Sequence, residues 1–497
     1  MMRRFKPVFL LAPLAVLLIA AAPTEPGSGP SREQQLAEAA AMVDNGKAAE
    51  ALALLDTLLA EADLPADKGQ IQGLRSFALA RTGKIIEARA AIEFAVDASL
   101  NPSLLLLRQQ FVLRAITGDI PAAAQTLQLV AVSNADWLEA LPTELVGEVL
   151  RGVSEEQQRF DLAFTLVTAG YAPPDQTVGQ GDDLKLQVIA GLAQRGRLDE
   201  AAPVIASLLN PVSLVRLGID RRYAALWPSL EQRLGPGADT ADAAFIAAAE
   251  AELAKAPQSL VARSGVAEAL NIASKEPEAL ARIKDIGTTP EALAKMSDRE
   301  LWIINQKAAL MVDAGDVEGA LAALDAVVAL PGEPRANALA FRIIAADMAA
   351  EAGRHDEALR RVKDVPAASL NEYGRVALAA IQACALVRSG KPAEATSAAA
   401  ALPAGWVKDG NNRATQAALA CLGRTDAAAA ILIRRLEDAG SRDDALFELQ
   451  PFLLADRPNA PDRMSKVVLR ALKARADVKA AFLKWGRDLP AVVSPPR

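Results

Sequence analysis

Few side chains in this sequence have the type and spacing that catalysis or metal binding requires. His355 is the single histidine among 497 residues. Glu351 lies four residues before it, but Gly353 between them predicts a helix end, so a zinc site or a Ser-His-Asp arrangement would depend on one imidazole. The TGK at 82–84 lacks the flanking residues of a phosphate-binding loop, and the GQG at 179–181 follows no predicted strand. We predict no catalytic residue, no metal and no cofactor.

Cys384 and Cys421 are the only cysteines, and export would put them in an oxidising compartment. They lie six and two residues before Gly390 and Gly423, which occupy matching positions of a repeated pattern. Because these offsets differ by four, both cysteines fall on one helical face. A disulfide needs Cα atoms within about 7 Å, and packed helix axes usually lie about 8–10 Å apart. We therefore favour two buried thiols and keep the disulfide as the alternative.

Arg222, Tyr223 and Trp227 combine the side-chain types that dominate protein-binding hot spots. They follow Asp220, at a point where we expect a degenerate repeat corner, so a helix start explains them better than a binding site does. Core packing is the favoured role of the tryptophans in general. If any of them faces a groove, these three residues are the candidate partner-binding group.

The C-terminal segment 456–497 is basic, with ten Lys or Arg against four Asp in an acidic chain. Lys466, Arg470 and Lys473 recur there at helical spacing. Repeat arrays need a terminal helix with a polar outer face, and we favour that interpretation. The alternative is a docking surface for an acidic partner or an anionic lipid.

The elements that position these residues are predicted to be helices. Hydrophobic residues make up 52% of the chain but aromatic residues only 4%, and the dominant Ala and Leu favour helix over strand. The net charge of −7 argues against a general nucleic-acid binder, which needs a basic surface. We predict an all-α fold and no nucleic-acid partner.

One pattern recurs along the chain: an apolar run, a glycine, a short polar turn and a second apolar run. The pattern is anchored by eight glycines: Gly46, Gly83, Gly118, Gly196, Gly315, Gly353, Gly390 and Gly423. Alanine follows each of them five residues later: Ala51, Ala88, Ala123, Ala201, Ala320, Ala358, Ala395 and Ala428. An aliphatic residue follows at nine: Leu55, Ile92, Leu127, Ile205, Leu324, Val362, Ala399 and Leu432. Degenerate copies are predicted at Ser274–Ala279, Gln158–Ala163 and Asp220–Ala225.

The pattern has the physical features of a helix-turn-helix corner. Glycine suits the left-handed residue that ends a helix, and alanine lets two helices approach closely. The spacing of about 33–38 residues between neighbouring copies is typical of a solenoid of helical hairpins. Gly83 with Glu87, Ala88, Ile92 and Pro102 resembles a tetratricopeptide repeat. The resemblance extends over about 33–455 and implies a right-handed superhelix of stacked antiparallel hairpins whose inner face binds proteins or peptides.

The chain divides into predicted segments by composition. Residues 1–22 have a basic start followed by an apolar run and small residues, which indicates a cleaved signal peptide. Residues 23–32 are predicted to be a flexible leader. We predict that residues 33–235 form N-terminal repeats with an exposed loop at 170–183, and that residues 236–455 form C-terminal repeats. Residues 456–497 are predicted to form a basic capping helix and a tail. Gly235 could separate two domains, but we favour one continuous superhelix without membrane insertion after cleavage.

These features predict an exported, non-catalytic scaffold that binds proteins or peptides, in the periplasm of a bacterium or outside the cell. A helical array that binds glycan or lipid is the alternative. An enzyme related to superhelical lytic transglycosylases is disfavoured, because only 74 residues follow Gly423 (497 minus 423) and they contain no matching catalytic motif.

Overall fold

The computed structural model describes residues 30–133, 138, 141, 143–172, 177–330, 338–408, 410–455 and 464–495. In these ranges the regular structure is helical, and one isolated backbone bridge joins Asp220 to Gly486. The all-α prediction is confirmed. The predicted signal peptide, 1–22, lies outside the described residues, as does most of the leader 23–32, whose Ser31 already caps the first helix.

The chain groups into two compact units, Met1–Asp175 and Gln176–Arg497. The division falls inside the segment 170–183 that was predicted as a loop, and not at Gly235. The last two residues of that segment, Asp182 and Asp183, form the first turn of a helix. Gly235, at a φ of 72°, connects two helices within the second unit.

The first unit is a row of helices in which each packs against the next along the chain. Its helices are α1 (Arg32–Asp44), α2 (Ala48–Glu61), α3 (Pro65–Arg81), α4 (Ile85–Asp97), α5 (Leu104–Ile116), α6 (Ile120–Ser133), α7 (Thr143–Gly152) and α8 (Glu156–Thr168). The residues buried between them are mainly Ala, Leu, Ile and Val.

The second unit continues the same construction with shorter helices at its start. They are α9 (Asp182–Gln194), α10 (Ala202–Ala206), α11 (Pro211–Ile219), α12 (Trp227–Leu234), α13 (Asp239–Lys255), α14 (Leu260–Ile272), α15 (Glu276–Ile283), α16 (Pro290–Ala294), α17 (Leu301–Asp313), α18 (Val317–Val328), α19 (Ala338–Glu351), α20 (His355–Val362), α21 (Glu372–Arg388), α22 (Pro392–Ala398), α23 (Asn412–Cys421), α24 (Thr425–Glu437), α25 (Arg442–Glu448), α26 (Pro451–Leu454), α27 (Met464–Lys473) and α28 (Ala476–Trp485).

The repeated corner has the predicted geometry. All eight pattern glycines have φ between 66° and 86°, and the residue after the glycine closes the turn: the amide of Lys84 donates to the carbonyl of Leu79 at 2.9 Å. The alanines five residues on are all 0% exposed, because each lies where the second helix meets the first. At nine, Ala399 is half-buried, whereas the other seven aliphatic residues are buried. The stacked-hairpin prediction is confirmed.

The degenerate copies differ in outcome. Ser274 has a φ of 57° and Ala279 is 0% exposed, so this copy is a true corner. Gln158–Ala163 lies wholly inside α8, because the chain turns earlier, at 153–155, without a left-handed residue. Asp220–Ala225 leads into a short 3-10 helix, Arg221–Leu226, and Ala225 is exposed. The last two copies were therefore predicted wrongly.

The second unit closes on itself. Its last helices, α25 and α28, contact α11 and the 3-10 helix that follows α11. The amide of Gly237 also donates to the carbonyl of Val492 at 2.8 Å. Residues at the end of this unit thus complete the packing of residues at its beginning.

Candidate partner-binding face

The first helices of successive hairpins in the second unit lie side by side. Helix α19 contacts α21, and α21 contacts α23, whereas the second helices pack chiefly against first helices. We call the solvent-facing sides of α17, α19, α21 and α23 the A-helix face.

An aromatic ring and two carboxylates lie on this face. Trp302, at the start of α17, is 39% exposed although its ring lies 5.0 Å from that of Phe341 in α19. On α19, Asp347 is exposed and Glu351 half-buried. Asp347 follows Phe341 by six residues, which is about 9 Å along a helix. Because 39% of Trp302 is exposed, core packing, the role expected of the tryptophans, describes this residue only in part.

Cys384 and Cys421 form a disulfide that ties α21 to α23. The distance between their Cα atoms is 5.2 Å, so the preference for two free thiols was wrong. The helices approach closely because their contact includes alanines, among them Ala383 and Ala418, both 0% exposed. The usual spacing of helix axes, on which the expectation rested, applies to contacts between larger side chains.

Helix α27 contacts the array near its start and near its end. Near its start, the amide and hydroxyl of Ser465 donate to a carboxylate oxygen of Glu351, at 3.4 and 3.3 Å. Further along, α27 contacts α23 and α24, and Leu472 is only 1% exposed.

Two of the three basic residues that were the alternative docking surface donate hydrogen bonds within the chain. Lys466, Arg470 and Lys473 are all half-buried. The ammonium of Lys466 donates to the carbonyl of Ala455, and that of Lys473 donates to the carbonyl of Leu449 at 2.6 Å and to Asp488 at 2.7 Å. The segment was expected to present its cations to solvent as a cap, but it turns back onto the array.

Arg222, Tyr223 and Trp227 contribute to the closure of the second unit. The guanidinium of Arg222 bridges Asp220 at 2.7 Å and Asp443 at 2.6 Å, while Tyr223 is 1% exposed beneath it. Burial of Tyr223 leaves it no surface to offer a partner. The helix start that we favoured over a binding group is present, because the side chain of Asp220 accepts a hydrogen bond from the amide of Arg222. The group lies at the junction between the two ends of the unit.

Arg487 is the central residue of this junction. Its guanidinium lies 3.6 Å from the ring centroid of Trp227 and binds Glu231 at 2.6 Å and the carbonyl of Gly218 at 2.7 Å. The guanidinium of Arg221 donates a hydrogen bond to the carbonyl of Leu483 at 2.8 Å. Sequence reasoning missed this junction, because its partners lie more than 250 residues apart.

Burial shifts the pKa values of several titratable groups in the second unit, among them Asp443 and His355. Burial raises the pKa of the Asp443 carboxyl to about 6, despite the opposing positive charge of Arg222. Burial, together with the charge of Arg388, lowers the pKa of the His355 imidazole. His355 is the first residue of α20, beyond the left-handed Gly353, so it does not share a helix with Glu351.

Among the described residues, no group of three or more His, Cys, Asp or Glu side chains is arranged to hold a metal ion. No helix within the described ranges is both long and apolar enough to span a membrane.

The fold is a tetratricopeptide-like solenoid. Its own repeated corners establish this. Solved structures of helical repeat proteins are matched at low sequence identity. The C-terminal part of a tetratricopeptide-repeat protein from Cytophaga hutchinsonii is 13% identical, with a TM-score of 0.28, over 62% of this chain and 98% of that chain. A tetratricopeptide repeat protein from Parabacteroides merdae is 14% identical, with a TM-score of 0.28, over 70% and 98%.

A pentatricopeptide repeat protein from maize is 13% identical, with a TM-score of 0.34, over 92% of this chain and 69% of that chain. No family model matches the sequence, and no curated protein matches it.

Proposed function

We propose that this protein is an exported, non-catalytic scaffold that binds protein or peptide partners on the A-helix face of its second unit. The observation that carries the proposal is Trp302, which leaves 39% of its surface exposed on that face. Tryptophan is the residue type most enriched in interaction hot spots. Asp347 and Glu351, further along the neighbouring α19, supply polar groups that can fix the register of a bound segment.

A binding role also agrees with the distribution of titratable groups. Most carboxylates of the array occupy helix starts, where the helix dipole favours negative charge, or pair with arginine, as Asp325 does with Arg361 and Glu318 with Arg354. Burial and the charge of Arg388 lower the pKa of the single imidazole, His355, against the opposing charge of Asp356. These arrangements support stability and recognition, and we assign no residue to catalysis.

Export to the bacterial envelope is the second part of the proposal. The pattern of residues 1–22 supports it, and the Cys384–Cys421 disulfide agrees with it, since disulfides persist in oxidising compartments. Fusion of residues 1–30 to a reporter that is active only outside the cytoplasm tests this part alone. Reporter activity equal to that of a leaderless fusion would exclude export by this segment.

Site-specific photo-crosslinking in cells tests the binding face. A photoreactive residue replaces Asp347 on the face, and the matched control replaces Ala322, which is exposed on the second helix α18. We expect crosslinked protein partners at position 347 but not at 322, and we expect Trp302→Ala to reduce the yield. Equal crosslinking at both positions would contradict the assignment, and crosslinks to glycan or lipid in place of protein would favour the alternative function.

A further inference from the structure

Two carboxyl groups that share one guanidinium join the beginning of the second unit to its end. Asp220 follows α11, and Asp443 lies on α25, 223 positions later (443 minus 220). The guanidinium of Arg222 binds Asp220 at 2.7 Å and Asp443 at 2.6 Å. We propose that this carboxyl pair makes the closure of the second unit sensitive to pH, because a proton shared between the two groups stabilises the contact between α11 and α25.

The charges at the carboxyl pair balance only when one proton is bound. Two ionised carboxylates carry two negative charges, whereas the guanidinium of Arg222 supplies one positive charge. Among the described residues, Arg222 is the one cation that forms an ion pair with either of them. Asp220 has no exposed surface, so water does not solvate its charge. A proton on Asp443, whose side chain is 38% exposed, therefore removes an unfavourable like-charge contact.

The pKa of Asp443 agrees with a shared proton. Burial raises this pKa to about 6, and the charge of Asp220 and a hydrogen bond between the two carboxyl groups act in the same direction. The positive charges of Arg222 and Arg216 oppose the increase. A hydrogen bond between two carboxyl groups needs a proton on one of them. Below pH 6, Asp443 therefore donates to Asp220, and above pH 6 the two carboxylates repel each other.

Most of the other charged groups around the carboxyl pair are engaged in separate contacts. They lie on α9, α11, α24 and α25: Asp183, Arg216, Arg435, Arg442, Asp444 and Glu448. Arg216 binds Asp444 at 2.6 Å, and Arg435 binds Glu448 at 3.0 Å. Arg442 donates to two backbone carbonyls at the end of α24, and Asp183 adds a negative charge near Arg216. Because these cations already have partners, ionisation of Asp443 leaves an excess negative charge at the contact.

The carboxyl pair also covers an aromatic ring. Tyr223 lies beneath Arg222, with 5.2 Å between the guanidinium carbon and the ring centroid, and is 1% exposed. Separation of α25 from α11 would uncover this ring. The contacts of Arg487 with Trp227 and with the carbonyl of Gly218 do not involve the carboxyl pair, so we expect opening to be confined to the contact between α25 and the segment after α11.

Hydrogen exchange at two pH values tests the inference on the full-length protein. Segments 211–226 and 442–449 are followed at about pH 5 and about pH 7.5, after correction for intrinsic exchange rates, with helices of the first unit as the reference. A pKa of about 6 in the closed unit and an ordinary value of 3.8 make opening up to about tenfold less frequent at the lower pH. Solvent screening of the partly exposed Asp443 reduces this effect, so we expect about three- to tenfold.

Two matched variants assign the effect to the carboxyl pair. Asp443→Asn removes the titrating group and keeps an amide that can donate to Asp220, so its corrected exchange should be the same at both pH values. Asp444→Asn changes the adjacent carboxylate, which binds Arg216, and should retain the pH dependence. Equal exchange of the wild type at both pH values would overturn the inference. A pH dependence that persists in Asp443→Asn, or that disappears in Asp444→Asn, would overturn it as well.

A further variant keeps the test decisive if Asp443→Asn fails to fold, which circular dichroism would show. Asp443→Ala also removes the titrating group, without the amide. Loss of the pH dependence in this variant supports the inference, and its persistence contradicts it.

Discussion

The disulfide between Cys384 and Cys421 yields a prediction that can be worked out numerically. The two residues are separated by 37 positions. Closing a loop of that length removes about 13 cal/mol/K of entropy from the unfolded chain, which is about 4 kcal/mol at 25 °C. Reduction should therefore destabilise the pair α21 and α23 by about that amount, because neither helix can leave the other without opening the loop.

Hydrogen exchange on oxidised and reduced protein measures this difference. Amides of α23 that exchange only when α23 separates from α21 should exchange roughly a thousandfold faster after reduction, since each 1.4 kcal/mol is a factor of about ten. Helices of the first unit serve as the internal reference. A mass difference of two hydrogens between the untreated and the reduced chain verifies that the bond is present at the start.

The double variant Cys384→Ala with Cys421→Ala is the control. It should exchange like the reduced wild type, and reductant should have no further effect on it. The reasoning would be refuted if the oxidised and reduced wild type exchange equally in α23, or if the untreated chain already carries both thiol hydrogens.

Three further predictions concern packing, closure and titration. Ala320→Leu should destabilise the second unit by about 1–3 kcal/mol because it overpacks a site with no exposed surface, whereas Ala322→Leu, on the exposed side of the same helix, should not; urea titration compares them. Arg487→Ala should speed hydrogen exchange in α11 and α12 through the loss of its contacts with Trp227 and Glu231, while Lys484→Ala, an exposed neighbour, should leave exchange unchanged. Because burial raises the pKa of Asp443 to about 6 from an ordinary 3.8, its contribution to stability should fall as pH rises from 4 through 6. The wild type should therefore lose stability relative to Asp443→Asn over that range, and a difference that does not change with pH would contradict the assignment.

The repeated corner could be predicted from sequence because it follows local rules. A left-handed residue favours glycine, and two helices that cross closely favour alanine at the crossing. Both rules concern residues within about ten positions of each other, so Gly353, Ala358 and Val362 identify one corner without further information. The two weak copies without glycine were misplaced for the same reason: their corners carry no left-handed residue that marks the turn.

The junction around Arg487, and the surroundings of the predicted binding residues, depend on contacts between distant residues, which local rules do not contain. Arg487 and Glu231 are 256 residues apart, and nothing in the neighbourhood of either predicts the pairing. The helical spacing of Lys466, Arg470 and Lys473 was recognised, but whether such a helix faces solvent or the array depends on where the chain returns. Residue type alone likewise could not show that Tyr223 is buried.

The junction at Arg487 also has a consequence for how the second unit folds. An open repeat array can nucleate anywhere and grow by contacts between neighbours, but the guanidinium of Arg487 meets a carbonyl 269 residues earlier. Compared with a contact between neighbouring repeats, about three doublings of loop length add about 2 kcal/mol of closure entropy. Pairing of these ends should therefore be a late and slow step, after which the unit no longer has a free end from which to unravel.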